Sequence, residues 1–208
     1  MPRKVAHQSG NNAWQWSRTA ETRRVMLQAA REVFTERGFS ESSIADVVQR
    51  ANSSVGSIYH HFGGKTELFL ALWEDHQNSY EEHATAAVAQ ARANGEEDPL
   101  ELFIAGARAF CQDAWERRDL QRLFLEGDAP PGFHVMRRAR ARGWVRQNAV
   151  LFGAGTDPPE RLQVSVMTAI IGEAAREITA CEDESEVAAI TDSVATMLRR
   201  LDPFNEDA

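Results

Sequence analysis

From Ser17 onward, apolar residues return along the chain every third or fourth position, the spacing that lines one face of an α-helix. Met26, Leu27, Ala30, Val33 and Phe34 form the first such face, and Gly38 stands where a helix C-terminus favours glycine. A short helix is expected from about Ser43 to Ala51 and another from about Val55 to His61, before Gly63 and Gly64 break the pattern. Lys65 then opens a face running through Phe69, Leu72, Trp73, His76, Tyr80, Ala84 and Ala87. If it reaches Ala93, that helix is about 40 Å long at the usual rise per residue. After a breaker at residues 94–99, Leu100, Phe103, Ile104, Ala107, Phe110, Cys111 and Ala114 mark the next helix. Further helices are expected over about 120–126, 133–151, 160–180 and 184–201. No strong period-two run is bounded by turns, so the predicted fold is all-α, with about nine helices.

Composition sets the class. A chain of 208 residues, 43% apolar and 26% charged, suits a folded protein with a sizeable core. No window offers the ~18 apolar residues of a membrane span, and the N-terminus lacks the apolar segment of a signal peptide, so a cytoplasmic protein without membrane contact is expected. Cys111 and Cys181 stand far apart in helical sequence and fit buried thiols in a reducing compartment. The net charge of −8 argues against nucleic acid until it is divided. Residues 1–65 hold nine Lys or Arg against five Asp or Glu, whereas the remainder holds fourteen against twenty-six. Only the N-terminal third is electrostatically suited to phosphate, and the acidic remainder would orient that end toward DNA.

The stretch from Ser42 to Leu68 carries the chemistry. Two short helices joined by a turn of three or four residues are the geometry of a helix-turn-helix. Ser43 is a suitable N-cap for the first, and Ile44, Val47 and Val48 give it a core face. Asn52 tolerates a left-handed turn, and Ser53 or Ser54 can cap the second helix. Ile58 and Phe62 anchor that helix inward, which leaves Val55, Gly56, Ser57, Tyr59, His60 and His61 for its exposed face.

This block resembles the DNA-binding domain of the TetR family. The resemblance rests on a first helix ending in glycine (MLQAAREVFTERGF), the two-helix reader and a Tyr-x-x-Phe-x-x-Lys tail (YHHFGGK), in order and at the family's spacing over about residues 20–75. The chain departs at the turn, where the usual Gly-Val is Asn52-Ser53. The resemblance implies phosphate contacts from Ser43, Tyr59, His61 and Lys65, and base-edge reading by Ser54, Val55, Gly56, Ser57 and His60. Val55 can touch a thymine methyl and Ser57 can bond several base edges. A reader this poor in Arg, Asn and Gln would take part of its specificity from DNA shape.

Plainer roles stand beside these. Tyr59 is also readable as a core aromatic, Lys65 as a solvated lysine, and Arg23 and Arg24 as either phosphate contacts or a solvated face. His60 and His61 point about 100° apart on a helix, with no ligand cluster to complete a site, so no metal is expected, and no cofactor. The basic run at residues 137–146, RRARARGWVR, is expected to be a surface paired with surrounding acids. No phosphate loop, GxSxG or HExxH occurs, so an enzyme is not expected.

Four segments follow: a flexible arm at 1–16, the helix-turn-helix domain at 17–64, a connecting helix at 65–93, and a ligand-binding and dimerisation domain at 94–208. The resemblance implies a homodimer joined through the last two helices, with Leu162, Val166, Val187, Val194 and Leu198 at the interface. It also implies a ligand pocket among the middle helices. Apolar candidates there are Phe103, Ala107, Phe110, Trp115, Phe124, Met136, Trp144, Met167 and Ile170, with His134, Glu173 and Asp113 as polar ones. The expected activity is repression at a palindromic operator in double-stranded DNA, relieved when a small amphiphilic molecule makes the long helix swing. The alternative is a helical ligand-binding or interaction protein that does not bind an operator.

Overall fold

The computed structural model describes residues 8–202 and residue 204, with side chains from residue 19 onward. Among them are nine α-helices and no strand. The first four are α1 (Gln8–Glu41), α2 (Ile44–Ala51), α3 (Val55–His61) and α4 (Lys65–Ala93). The rest are α5 (Pro99–Glu116), α6 (Arg118–Glu126), α7 (Phe133–Phe152), α8 (Pro158–Ile178) and α9 (Glu184–Leu201). The helix α1 begins at Gln8, within the segment expected as an arm, while residues 1–7 lie outside the described residues. A polar helical end leaves no apolar period to read, and adding turns to an existing helix is easy once it is nucleated. Gly38, at φ 78° and ψ 174°, breaks α1 as its position suggested.

The chain divides into two compact units, one ending at Glu74 and the other beginning at Asp75, so the division falls inside α4 rather than at its ends. The core of the first unit is built from Met26, Ala30, Val33 and Phe34 of α1, Val47 of α2, Ile58 of α3 and Leu68, Phe69 and Leu72 of α4, all buried. Phe34, Phe39 and Phe69 form a tilted and edge-on cluster with centroids 5.1–6.1 Å apart.

In the second unit α5 packs against α7, α8 and α9. Its buried Phe103, Ile104, Ala107, Cys111 and Ala114 meet Met167, Ile171 and Ala175 of α8 and Val187, Val194 and Leu198 of α9. Burial pushes the Cys111 thiol up to about 11, whereas Cys181 is only half-buried; both are free. A polar seam runs through this core. Tyr80 Oη donates to Gln121 Oε1 at 2.9 Å, and His76 Nε2 lies 3.1 Å from the same oxygen. Asp113, also buried, accepts from Ser79 Oγ and faces His83 Nδ1, each at 2.9 Å.

Three residues expected at a dimer interface are therefore core residues of the single chain: Val187, Val194 and Leu198 are at most 4% exposed. The regular stripe of α9 is used up against α5 and α8. Leu162 and Val166 of α8 are exposed, as are Met197 and Leu201 of α9. These two pairs, each four residues apart, form separate apolar stripes on the outer surface.

Asn52 closes α2 in the left-handed region at φ 47° and ψ 50°, the one non-glycine residue with positive φ among those described. A β-branched side chain is strained there, so Asn52→Val should lower the unfolding free energy in urea by about 1–2 kcal/mol. Asn52→Gly should stay within about 1 kcal/mol of the parent. Equal losses in the two variants would contradict a conformational role for Asn52.

Candidate nucleic-acid interface and ligand cavity

The second helix of the reader, α3, has seven residues, too few to stand alone, and its ends are fixed by side chains. Ser54 caps the start, its Oγ accepting from Ser57 N at 3.2 Å. Ile58 is fully buried beneath the helix. The opposite side presents Ser54, Val55, Gly56, Tyr59 and His60 to solvent, with Ser57 and His61 half-buried beside them. Tyr59 is 54% exposed, which removes the core reading, and Val55 is 49% exposed. A Cβ on Gly56 would meet nothing within 4 Å, so packing within the chain does not require glycine at this position. A surface that large partners approach closely is one place where a missing side chain has a use.

Ser43 begins α2 with a capping box: its Oγ accepts from Asp46 N at 3.2 Å, and Ser43 N donates to Asp46 Oδ2 at 2.8 Å. Ser43 Oγ also donates to that carboxylate at 2.6 Å. These hydrogen bonds from Ser43, with Arg37 nearby, hold the Asp46 carboxyl below its ordinary value. Lys65 Nζ donates to the Ser40 carbonyl at 3.1 Å and lies 4.5 Å over the Phe39 ring, so it ties the α1–α2 junction to the start of α4. Arg23 has a structural role beside those considered for it from the sequence. Its Nη1 donates to the His61 carbonyl at 3.1 Å, and its guanidinium lies 4.3 Å from the Phe62 ring centroid. It thereby closes the C-terminus of α3 from α1, a contact between residues 38 positions apart that no local pattern announces.

Other arginines of this unit are engaged by acids. Arg50 bridges Glu32 at 2.8 Å and Glu36 at 3.0 Å, and those carboxylates, Glu36 foremost, hold its guanidinium above its ordinary value. Arg24 pairs with Glu21, and Arg37 with Asp46. Among the described residues no group of three or more His, Cys, Asp or Glu is arranged to hold a metal ion, and no helix is long and apolar enough to cross a membrane.

The second unit holds a cavity of about 650 Å³, partly open to solvent, between α4, α5, α7 and α8. Of the residues expected to line it, Phe103, Ala107, Phe110 and Trp144 do. The others lie elsewhere. Trp115, Phe124 and Met167 are buried in the core: Arg118 lies over the Trp115 ring, and Phe124 packs against His76 and Phe133. Ile170 is half-buried against the core, one position from the lining residue Ile171. His134 and Met136 are exposed on the first turn of α7, Glu173 is exposed beside Arg176, and Asp113 is held in the polar seam. An aromatic stripe marks the inward side of a helix but not whether atoms or space lie opposite. The sequence reading missed Glu81, Thr85 and Val88 of α4, Arg142, Asn148 and Leu151 of α7, and Thr168 of α8. Ala84 of the traced α4 face is itself a lining residue, and Val88 stands four residues on from it along the same side of the helix, which was the recoverable signal.

The family model described as bacterial regulatory proteins, tetR family, matches residues 26–72, from the middle of α1 into α4. The chain is 34% identical over 102 residues to the HTH-type transcriptional regulator TtgR of Pseudomonas putida, covering 47% of this chain and 47% of the relative. It is 34% identical over 71 residues to the probable acrEF/envCD operon repressor of Escherichia coli, covering 33% of this chain and 32% of that one. The chain thus spans half or less of the length of these curated relatives. A TetR-like transcriptional regulator from Rhodococcus sp. RHA1 is similar in fold, with a TM-score of 0.67 at 22% identity over 86% of this chain and 94% of that one.

The Arg23 contact is testable without DNA. Arg23→Gln should speed amide hydrogen exchange at the end of α3 and lower stability by about 1 kcal/mol, the worth of one such bond. Exchange in α3 that is unchanged from the parent would remove the clamp.

Proposed function

We propose that this chain, which belongs to the tetR family of bacterial regulatory proteins, is a homodimeric repressor that reads an operator with α3 and leaves it when a small molecule fills the cavity of the second unit. The carrying observation is the exposed strip of Ser54, Val55, Gly56, Tyr59 and His60 on a helix clamped at both ends. Base edges fall to Ser54, Val55, Gly56, Ser57 and His60, and phosphates to Ser43, Tyr59, His61 and Lys65. Phosphate contacts fix the register, and base contacts specify sequence. Lys65 spends one of its three donors on Ser40 and keeps the rest for phosphate. The operator is double-stranded and two-fold symmetric, with half-sites about 34–36 Å apart, and is met in the cytoplasm. The relatives matched are regulators rather than enzymes, which supports a binding role.

Dimerisation uses the outward stripes, Leu162 and Val166 of α8 with Met197 and Leu201 of α9. A two-fold interface repeats the same patch on both subunits. Ligand control runs through α4, which is continuous from Lys65, four residues after α3, to the cavity-lining Val88. A ligand favouring one course of α4 shifts the population away from the DNA-bound spacing.

The test is a gel shift on tiled fragments of the DNA upstream of the chain's own gene, at moderate salt. Selective complexes support the reading, and uniform weak binding to every fragment leaves the alternative of a ligand-binding helical protein. Within a selective complex, Lys65→Ala should reduce the salt slope by about one unit, the value of one phosphate contact. Arg50→Ala should leave the slope unchanged, because its charge is already engaged by Glu32 and Glu36.

Leu162→Glu should convert the dimer to a monomer in sedimentation without loss of helicity. Leu198→Ala should instead lower protomer stability by roughly 2–5 kcal/mol, as expected for a core truncation. A dimer that survives Leu162→Glu together with Met197→Glu would rule out this interface.

A further inference from the structure

The basic run on α7 is a surface as expected, with Arg138, Arg142 and Arg146 exposed, but it is not paired with acids as expected. Arg137, Arg138, Arg140, Arg142 and Arg146 lie within ten positions, yet among the described residues only Arg140 meets a carboxylate, Glu81 at 2.7 Å. Arg137 donates to the Leu125 carbonyl, and burial foremost, with the charge of Arg176, lowers its proton affinity. This helix also forms one wall of the cavity. The charge left over on α7 therefore borders an apolar space.

The polar groups of that space are few. Glu81 accepts from Arg140 at 2.7 Å and from Gln147 Nε2 at 2.9 Å, so its negative charge is neutralised. Asn148 Nδ2 donates to Thr168 Oγ1 at 2.9 Å. The charge that remains without an opposite partner among the described residues is Arg142, itself a lining residue. The rest of the wall is largely apolar, including Phe103, Ala107, Phe110, Trp144, Leu151 and Ile171. Resting on the reading of this cavity as the effector site, we propose that its ligand is an apolar molecule ending in a carboxylate, with the guanidinium of Arg142 receiving that group at the α7 wall. The match is of charge and shape together. A planar guanidinium pairs with a carboxylate through two parallel hydrogen bonds, and the apolar body is driven into the cavity by loss of water contact. A cationic amphiphile would meet α7 with like charge, and a neutral one would leave Arg142 without a partner.

Three probes with one tail separate these cases: decanoate and decyltrimethylammonium below their micelle concentrations and decanol below its solubility limit, titrated calorimetrically into the purified full chain without DNA. Decanoate should bind about tenfold more tightly than decanol, with decyltrimethylammonium weakest. Arg142→Gln should bring decanoate down to the affinity of decanol. Arg138→Gln, on the same helix but outside the lining, should keep the parent ratio between the probes. Equal binding of decanoate and decanol, tightest binding of the cation, an unaltered ratio in Arg142→Gln, or no binding of any probe would each overturn the proposal. Because no DNA is present, these results are independent of the gel shift: an absent operator complex rejects the regulatory reading and leaves the headgroup preference as measured.

Discussion

Two helices of eight and seven residues cannot hold themselves together in water, because so short a helix leaves at least as many backbone groups unbonded at its ends as it pairs within. The first unit is organised around that constraint. Ser43 and Asp46 close the start of α2, Asn52 turns its end, Ser54 closes the start of α3, and Arg23 takes the His61 carbonyl at its finish. The buried Val47 and Ile58 accompany the packing of α2 on α1 and of α3 on α2. Only with those ends satisfied does the outer strip from Ser54 to His60 become a surface of defined shape, which is what a DNA-reading helix requires.

The same constraint redistributes the charge. The chain's first 65 residues carry an excess of basic groups, but from residue 19 to 65 there are six, Arg23, Arg24, Arg31, Arg37, Arg50 and Lys65, against five acids. Arg23 and Lys65 bind carbonyls, and Arg24, Arg37 and Arg50 bind carboxylates. Most of the surplus comes from Arg3, Lys4 and Arg18, whose side chains lie outside those described. A sequence count treats each arginine as free, whereas a fold of short helices draws on arginines as fasteners.

The order of the helices and, apart from the start of α1, their approximate bounds were legible because each is written locally. The apolar period gives the face, and Ser, Asn and Gly give the ends. The reader was equally legible, since its residues are neighbours in sequence: Val55, Tyr59 and His60 were expected outward and Ile58 inward, and they lie so. What depends on distant partners was not legible. The stripe of Val187, Val194 and Leu198 is equally suited to a neighbouring subunit or to α5, and α5 takes it. Phe110 and Trp115 stand five positions apart on one helix, yet one faces the cavity and the other fills the core. Arg23 gains its role from a carbonyl 38 residues away.

Compensation of charge therefore distinguishes the two units more than charge itself does. In the first, basic side chains are matched by acids and carbonyls, and the reader proper carries only hydroxyls, a methyl-bearing valine, a tyrosine and histidines. Such a surface recognises by fit and by many modest contacts, because it lacks the arginine fork that reads guanine. In the second unit, within an acidic remainder, α7 keeps Arg142 without a carboxylate partner among the described residues, at the wall of a largely apolar cavity. An uncompensated charge costs little while water reaches it, and it gains most from a partner that brings an opposite charge and removes the water. The net charge of −8 conceals both arrangements, since it counts groups without their partners.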